Sequence, residues 1–213
     1  LTVNGTVIAP TINVWVGNAQ LVVSGANAKV ESNWIDIWDG TPSVAINNGA
    51  TIKTNKIKVS RGGELTVTDA NLIAAESIEV GHNGNSAGKL TESGNSTITG
   101  EIKMTATELT VSSDGGLNVT TSIEGYTVVF DAENKQYKLV AIGDVVAKIG
   151  GLYYETLAAA ITAAQPNDVI TFVNDITENV TISKNVTIDG ANKKYTGKMA
   201  GNAGLNVTVQ NVN

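Results

Sequence analysis

Residues 55–80 read NKIKVSRGGELTVTDANLIAAESIEV and contain one complete repeat and the start of the next. Ile57-Lys58-Val59 returns as Ile78-Glu79-Val80 after 78 − 57 = 21 residues. Apolar and polar residues alternate in both triplets, which is typical of a strand with one buried face. Because no helical pattern lies between them, a repeat of this length predicts a coil of short strands.

The repeat extends through the first half of the chain. The positions that we align with Ile57 are Val14, Ile35, Ile57, Ile78, Ile102 and Ile123. A second strand is predicted at Leu21/Val23, Val44/Ile46, Leu65/Val67, Leu90/Glu92 and Leu109/Val111, and a weaker third at Val30, Ile52, Leu72, Ile98 and Leu117/Val119. Three strands per repeat predict an all-β fold: a right-handed parallel β-helix with about 21 residues per rung, in which each strand pairs with its equivalent one rung away.

The pattern changes near Gly125. Two alternating runs, 126–130 and 136–140, flank a polar loop and predict a β-hairpin. An Ala-rich helix is predicted at 154–165, with Leu157, Ile161 and Ala164 on one face, and Pro166 ends it. Strands are predicted after it at 169–173, 180–182 and 186–188.

We therefore predict three regions. Residues 1–125 form the parallel β-helix, 126–150 form a β-hairpin that caps it or connects it to the next unit, and 151–213 form the helix-capped start of a second β-helix. This second coil has few rungs, so we expect the chain to be a fragment of a longer protein.

One part of the chain resembles a known family. The segments that carry the resemblance are Tyr154-Glu155-Thr156-Leu157, the Ala-rich helix, Pro166-Asn167-Asp168-Val169-Ile170 and Val180-Thr181-Ile182-Ser183-Lys184-Asn185-Val186-Thr187-Ile188-Asp189-Gly190. They are similar to the beginning of pectate-lyase-like β-helix modules of large bacterial cell-surface and adhesin-like proteins, although Asn167-Asp168 replaces the usual Gly-Asp. The resemblance implies that the helix plugs the open end of a coil and that the protein is extracellular or on a bacterial cell surface.

Composition narrows the functional classes. The net charge is −6 with only 14 Lys and Arg among 213 residues, which argues against a nucleic-acid partner because few cations are available to neutralise phosphates. The chain has no cysteine, and no apolar run is long enough for direct membrane insertion. No cofactor or metal is predicted. His82 is the only histidine and lies in a Gly- and Asn-rich stretch, so a Ser-His-Asp mechanism is disfavoured.

The outward positions of the first strand suggest a row of alternating charges. From rung to rung these positions are Trp15, Asp36, Lys58, Glu79, Lys103 and Glu124. Opposite charges on neighbouring rungs are close enough to pair, so the row is expected to stabilise the register of the coil.

The candidate ligand-binding residues are Trp15, Trp34 and Trp38, which are all of the tryptophans in the chain. Indole rings stack on the apolar faces of sugars, so these residues predict a platform for glycan binding. The alternative is that Trp34 and Trp38 only cover the end or the corners of the coil. No catalytic residue is predicted.

We expect a structural or adhesive protein that displays a face for binding glycans or host and surface proteins, and we do not expect an enzyme. A polysaccharide lyase or glycoside hydrolase is the alternative, with Asp36, Asp39 and Glu64 as its nearest acids and Arg61 as its single arginine. A third reading, an ice-binding solenoid, rests on the outward hydroxyl residues Thr66/Thr68, Thr91/Ser93 and Thr110/Ser112.

Overall fold

The computed structural model describes residues 1–84, 87–107 and 109–213, with the side chains of residues 82–84 excepted. The chain divides into two units. The first comprises Leu1–Glu124 and Asp131–Leu139, and the second comprises Gly125–Phe130 and Val140–Asn213.

The first unit is built from short strands separated by tight corners. In chain order they are β1 (Thr2–Val3), β2 (Thr6–Ile8), β3 (Thr11–Gly17), β4 (Gln20–Ser24), β5 (Lys29–Glu31), β6 (Trp34–Gly40), β7 (Ser43–Asn47), β8 (Thr51–Val59), β9 (Gly63–Thr68), β10 (Asn71–Gly84), β11 (Gly88–Ser93), β12 (Thr97–Ala106), β13 (Thr110–Ser112) and β14 (Val119–Thr121).

These strands pair in parallel with their equivalents one turn away. One face has the order β1-β4-β7-β9-β11-β13, and a second sheet contains β2-β5-β8-β10-β12-β14, with β3 and β6 joined to it through β8. The fold is therefore a β-solenoid of parallel stacked coils with about 22 residues per turn, which confirms the predicted all-β parallel β-helix.

The predicted aliphatic column is present at its centre. Ile35, Ile57, Ile78 and Ile102 are neighbours in register, and each is fully buried. The predicted alignment is wrong at both ends of the column. Ile12 rather than Val14 pairs with Ile35, and Val14 pairs with Ile37. At the other end Val119, and not Ile123, pairs with Ile102.

The second predicted column is also shifted at one end. Leu21, Val44, Leu65 and Leu90 are aligned as predicted, but Leu90 then pairs with Val111 instead of Leu109.

Corners require glycine where backbones approach closely. Gly62 has φ +87°, and a Cβ atom there would lie 2.0 Å from the carbonyl oxygen of Gly40.

The two predicted hairpin strands are β15 (Tyr126–Asp131) and β16 (Gln136–Ala141). In the first unit β16 runs antiparallel to β13, with Val111 opposite Tyr137. Tyr137 is buried, and its hydroxyl group accepts a hydrogen bond from the N–H of Leu117 at 2.9 Å. The Tyr137 side chain therefore ties β16 to the segment that precedes β14.

The second unit contains the only α-helix of the described residues. After a 3-10 turn (Ile142–Asp144), its elements are β17 (Ala147–Ile149), β18 (Leu152–Tyr154), α1 (Leu157–Ala163), β19 (Val169–Phe172), β20 (Ile176–Thr177), β21 (Val180–Ile182), β22 (Val186–Asp189), β23 (Tyr195–Thr196), β24 (Met199–Gly201) and β25 (Val207–Gln210). Strand β15 pairs in parallel with β18, and β19, β22 and β25 pair in parallel with one another.

Helix α1 is held at both ends by side chains from the turns between the strands that follow it. The Glu178 carboxylate accepts hydrogen bonds from the N–H groups of Leu157 and Ala158, at 2.8 and 3.2 Å. The Lys184 ammonium group donates to the carbonyl oxygens of Thr162 and Ala164, at 2.6 and 2.5 Å. An anion at the N-terminus and a cation at the C-terminus both complement the helix dipole.

The predicted apolar face of the helix is confirmed, because Leu157, Ile161 and Ala164 are buried. The helix has 7 residues and is therefore shorter than predicted. Among the described residues, no helix has the length and apolarity needed to span a membrane.

Candidate functional site

The three tryptophans lie on one outward face of the first coil. Along β6 the buried Ile35 and Ile37 alternate with the half-buried Trp34, Asp36 and Trp38, so these last three side chains point away from the core. On the neighbouring turn, Trp15 of β3 pairs in register with Trp38 and is 42% exposed. The predicted binding residues are thus brought together on two adjacent rungs.

The aromatic rings contact each other and nearby cations. The centroids of Trp15 and Trp38 are 5.3 Å apart, with the ring planes at 82° in an edge-to-face arrangement. The ammonium groups of Lys56 and Lys58 each lie 5.3 Å from the centroid of Trp34. The guanidinium carbon of Arg61 lies 5.1 Å from the centroid of Trp38. Such cation–π contacts fix the orientation of exposed rings.

A small pocket opens beside Trp38. It has a volume of about 250 Å³ and is lined by Asp36, Trp38, Lys58, Ser60 and Arg61. The indole Nε1 of Trp38 is buried and has no hydrogen-bond partner among the described residues. Two cations and one carboxylate give the pocket a net positive charge, although the whole chain has a net charge of −6.

The predicted charge row is correct in its central part. Asp36, Lys58, Glu79 and Lys103 are successive partners in register, so they lie in line on the exterior. Its predicted ends are wrong: Trp15 pairs with Trp38, not with Asp36, and Thr120 takes the position predicted for Glu124.

The ion pairs of this face also involve the adjacent row. Glu79 is 2.5 Å from the Nζ atom of Lys56 and 4.0 Å from that of Lys58. Glu101 is 3.2 Å from the Nζ atom of Lys103 and accepts a hydrogen bond from the Thr120 hydroxyl group at 2.9 Å. That hydrogen bond, and next the contact with Lys103, lower the pKa of the Glu101 carboxyl group.

Sequence reasoning missed a larger concavity on the same coil. Where the chain bends from β2 into β3, from β5 into β6 and within β8, it forms a groove with a volume of about 460 Å³. We call this the corner groove, and its lining includes Ile8, Ser32, Asn33, Lys53, Asn55 and Ile73. The only feature of the sequence that points to this groove is the spacing of Asn33 and Asn55. They are 55 − 33 = 22 residues apart, which matches the repeat length and places them at equivalent positions of adjacent turns.

The acids considered for catalysis are not gathered into one cluster. Asp36 faces outward on β6, Asp39 lies near the end of that strand with φ +71°, and Glu64 is on β9, where it pairs with Lys89 at 3.5 Å. Within the described residues, no three or more His, Cys, Asp or Glu side chains are arranged to hold a metal ion. The side chain of His82 lies outside the described residues.

The outward hydroxyl residues form partial rows. Thr66 pairs with Thr91, and Thr91 pairs with Ser112. Thr68 and Ser93 are 3.1 Å apart between hydroxyl oxygens. The predicted alignment of Thr110 with Thr91 is wrong, because Thr110 pairs with Lys89.

Comparison with known proteins gives no relative. No family model matches the sequence, and no curated protein and no solved structure matches the chain. The β-solenoid fold is therefore established from the strand pairing, and the resemblance to pectate-lyase-like and adhesin modules gains no support from these comparisons.

Proposed function

We propose that this chain is part of an extracellular or bacterial cell-surface β-solenoid with a structural or adhesive role, which binds glycans or surface proteins without acting on them chemically. The observation that carries the proposal is the gathering of Trp15, Trp34 and Trp38 on one outward face of adjacent rungs. We call this surface the tryptophan face.

The tryptophan face has the chemistry of a carbohydrate-binding surface. Large aromatic rings on a rigid scaffold offer apolar area at low entropic cost, and their faces match the C–H faces of sugar rings. Asp36, Lys58 and Arg61 beside the rings supply hydrogen-bond donors and acceptors for hydroxyl groups. The parallel coil beneath holds these side chains at fixed spacing, because each strand is paired on the next rung.

Binding without catalysis agrees with the state of the carboxylates. A glycosidase needs one carboxyl group with a raised pKa to act as the general acid. The Glu101 pKa is instead lowered, and Glu79 and Glu64 are each paired with lysine. These groups are therefore suited to stabilising the coil through ion pairs.

The direct test is a binding screen on immobilised glycans and extracellular-matrix proteins, followed by titration of the best ligand against matched variants. Trp34→Ala and Trp38→Ala each remove one ring from the tryptophan face, and Tyr126→Ala removes an exposed ring in the second unit as the control. We expect affinity to fall about tenfold in the tryptophan variants, as loss of an aromatic stacking contact implies, and to be unchanged in the control.

Circular dichroism melting curves establish that each variant is folded before its affinity is compared. Ligand affinity that is unchanged in both folded tryptophan variants would contradict the proposed surface. Release of reducing or unsaturated sugar ends above a heat-inactivated control would contradict binding without catalysis.

A further inference from the structure

The corner groove has the size and shape of a ligand site that is separate from the tryptophan rings. Its volume of about 460 Å³ lies within the range of about 300–1,000 Å³ that small-molecule sites occupy. It draws residues from four successive turns, since Ile8, Glu31, Lys53 and Ile73 are consecutive partners in register. The groove therefore crosses several rungs of the coil.

Two unengaged amides lie in this groove. Asn33 and Asn55 are exposed, and the backbone N–H of Lys56 donates to the carbonyl oxygen of Asn33, which places the two asparagines on adjacent rungs. Among the described residues, neither side-chain amide has a hydrogen-bond partner. The nearby hydroxyl groups are engaged instead, because Ser32 donates to Thr54 at 3.0 Å and Thr54 donates to the carbonyl oxygen of Lys56 at 3.3 Å.

The charges and apolar groups of the groove indicate the class of ligand. Glu31 and Lys53 are neighbours in register, so their charges offset each other. Each asparagine amide offers both a donor and an acceptor, which is what the hydroxyl groups of a sugar require. Ile8 and Ile73 are exposed hydrophobic side chains in the lining and can contact the C–H groups of a sugar ring.

We propose that the corner groove binds a neutral oligosaccharide through Asn33 and Asn55. This inference rests on the proposed function and extends it, because Asn33 directly precedes Trp34 in the chain. One sugar can thus stack on the tryptophan face while another unit of the same oligosaccharide occupies the groove. The ligand is accordingly an uncharged chain of several sugars that extends from the corner groove onto the tryptophan face.

The test compares neutral β-1,4-linked glucose, galactose and N-acetylglucosamine oligomers, from monosaccharide to hexasaccharide, by isothermal titration calorimetry. The variants are Asn33→Ala/Asn55→Ala in the groove, Trp34→Ala on the tryptophan face, and Asn118→Ala at another exposed asparagine of the first unit as the control. We expect the hexasaccharide to bind more tightly than the disaccharide. The double asparagine variant should lose about tenfold in hexasaccharide affinity, while the control keeps it.

The outcomes separate this inference from the proposed function. Tight hexasaccharide binding that is weakened by Trp34→Ala and unchanged by the double asparagine substitution overturns the groove inference alone. Absence of binding to every glycan in the wider screen overturns glycan binding by the tryptophan face and the groove inference with it. Resonances of Asn33 and Asn55 that shift with an extended Gly-Ser peptide, and not with any oligosaccharide, would assign the groove to a peptide and overturn the inference.

Discussion

The Ser113 hydroxyl group donates a hydrogen bond to the Glu92 carboxylate, with 2.7 Å between the two oxygens, at a position that is otherwise aliphatic in the coil. Glu92 pairs in register with Val67, which pairs with Ile46, and both of these apolar side chains are fully buried. Ser113 is 3% exposed and also accepts a hydrogen bond from the N–H of Gly115 at 3.0 Å. A polar pair thus replaces the apolar column near the end of the first coil.

The two partners of this pair should respond differently to substitution. Ser113→Ala leaves the half-buried Glu92 carboxylate and the half-buried Gly115 N–H without their partner. Because each lost hydrogen bond contributes about 0.5–1.5 kcal/mol, we expect a loss of about that size. Glu92→Val continues the column of Val67 and leaves the Ser113–Gly115 bond in place, so we expect little change in stability or a small gain. Urea unfolding of both variants measures this difference. A larger loss in Glu92→Val than in Ser113→Ala would contradict it.

The central aliphatic column should be the most sensitive part of the first unit. Ile78 is fully buried between Ile57 and Ile102, and Ile78→Ala removes contacts on both adjacent rungs. We expect a loss of about 2–5 kcal/mol in the free energy of unfolding. Ile73→Ala on the same strand is the matched control, because Ile73 is 36% exposed and should cost far less. Similar losses in the two variants would show that Ile78 does not occupy the core.

The periodicity of the sequence predicted the fold because burial of alternate residues leaves a direct pattern in the chain. The periodicity predicted the wrong strand register where one turn of the coil differs in length from the others. The step from Ile102 to its partner Val119 is 119 − 102 = 17 residues, so a search for a 21-residue spacing selected Ile123 instead. At the other end, Val14 and Ile12 are two residues apart and equally apolar, and only strand pairing separates them.

The candidate site was predictable only as far as it follows the strands. Outward positions on β6 follow from alternation, so Trp34 and Trp38 could be placed on one face. The contact between Trp15 and Trp38 depends on register and was missed. The corner groove depends on the bend between two strand segments, and asparagine at a corner is equally typical of turns that bind nothing.

The charge row should make a modest, salt-dependent contribution to stability. Lys58 lies between Asp36 and Glu79 in register, so Lys58→Glu places three acids on consecutive rungs. Because the side chains of Lys58 and Glu79 are partly exposed, we expect the free energy of unfolding to fall by less than about 1 kcal/mol. This loss should be larger at low ionic strength. Lys58→Met removes the charge and keeps an apolar stem, so its loss should be smaller and less dependent on salt. The charge row would be contradicted if the loss in melting temperature depended on salt to the same extent in Lys58→Glu and in Lys58→Met.

Acid should destabilise the protein through carboxylates that are hydrogen-bonded in the fold. The backbone N–H of Ala191, then the side chains of Asn211 and Gln210, lower the pKa of Asp189. A lowered folded pKa means that the folded state binds protons less readily than the unfolded chain. The stabilisation is therefore present above the ordinary carboxyl pKa of about 4 and is lost as pH falls through the lower folded value.

Asp189→Asn tests this dependence directly, because its amide oxygen can still accept the hydrogen bond from Ala191 but the side chain no longer titrates. The decrease in the urea midpoint between about pH 5 and pH 2 should be smaller in this variant than in the natural chain. Asp144→Asn is the control. It removes an exposed carboxylate of the second unit and leaves the hydrogen bonds of Asp189 with Ala191, Asn211 and Gln210 in place. The control should retain the acid sensitivity of the natural chain. An equal decrease in the natural chain and in Asp189→Asn would show that Asp189 ionisation does not stabilise the second unit.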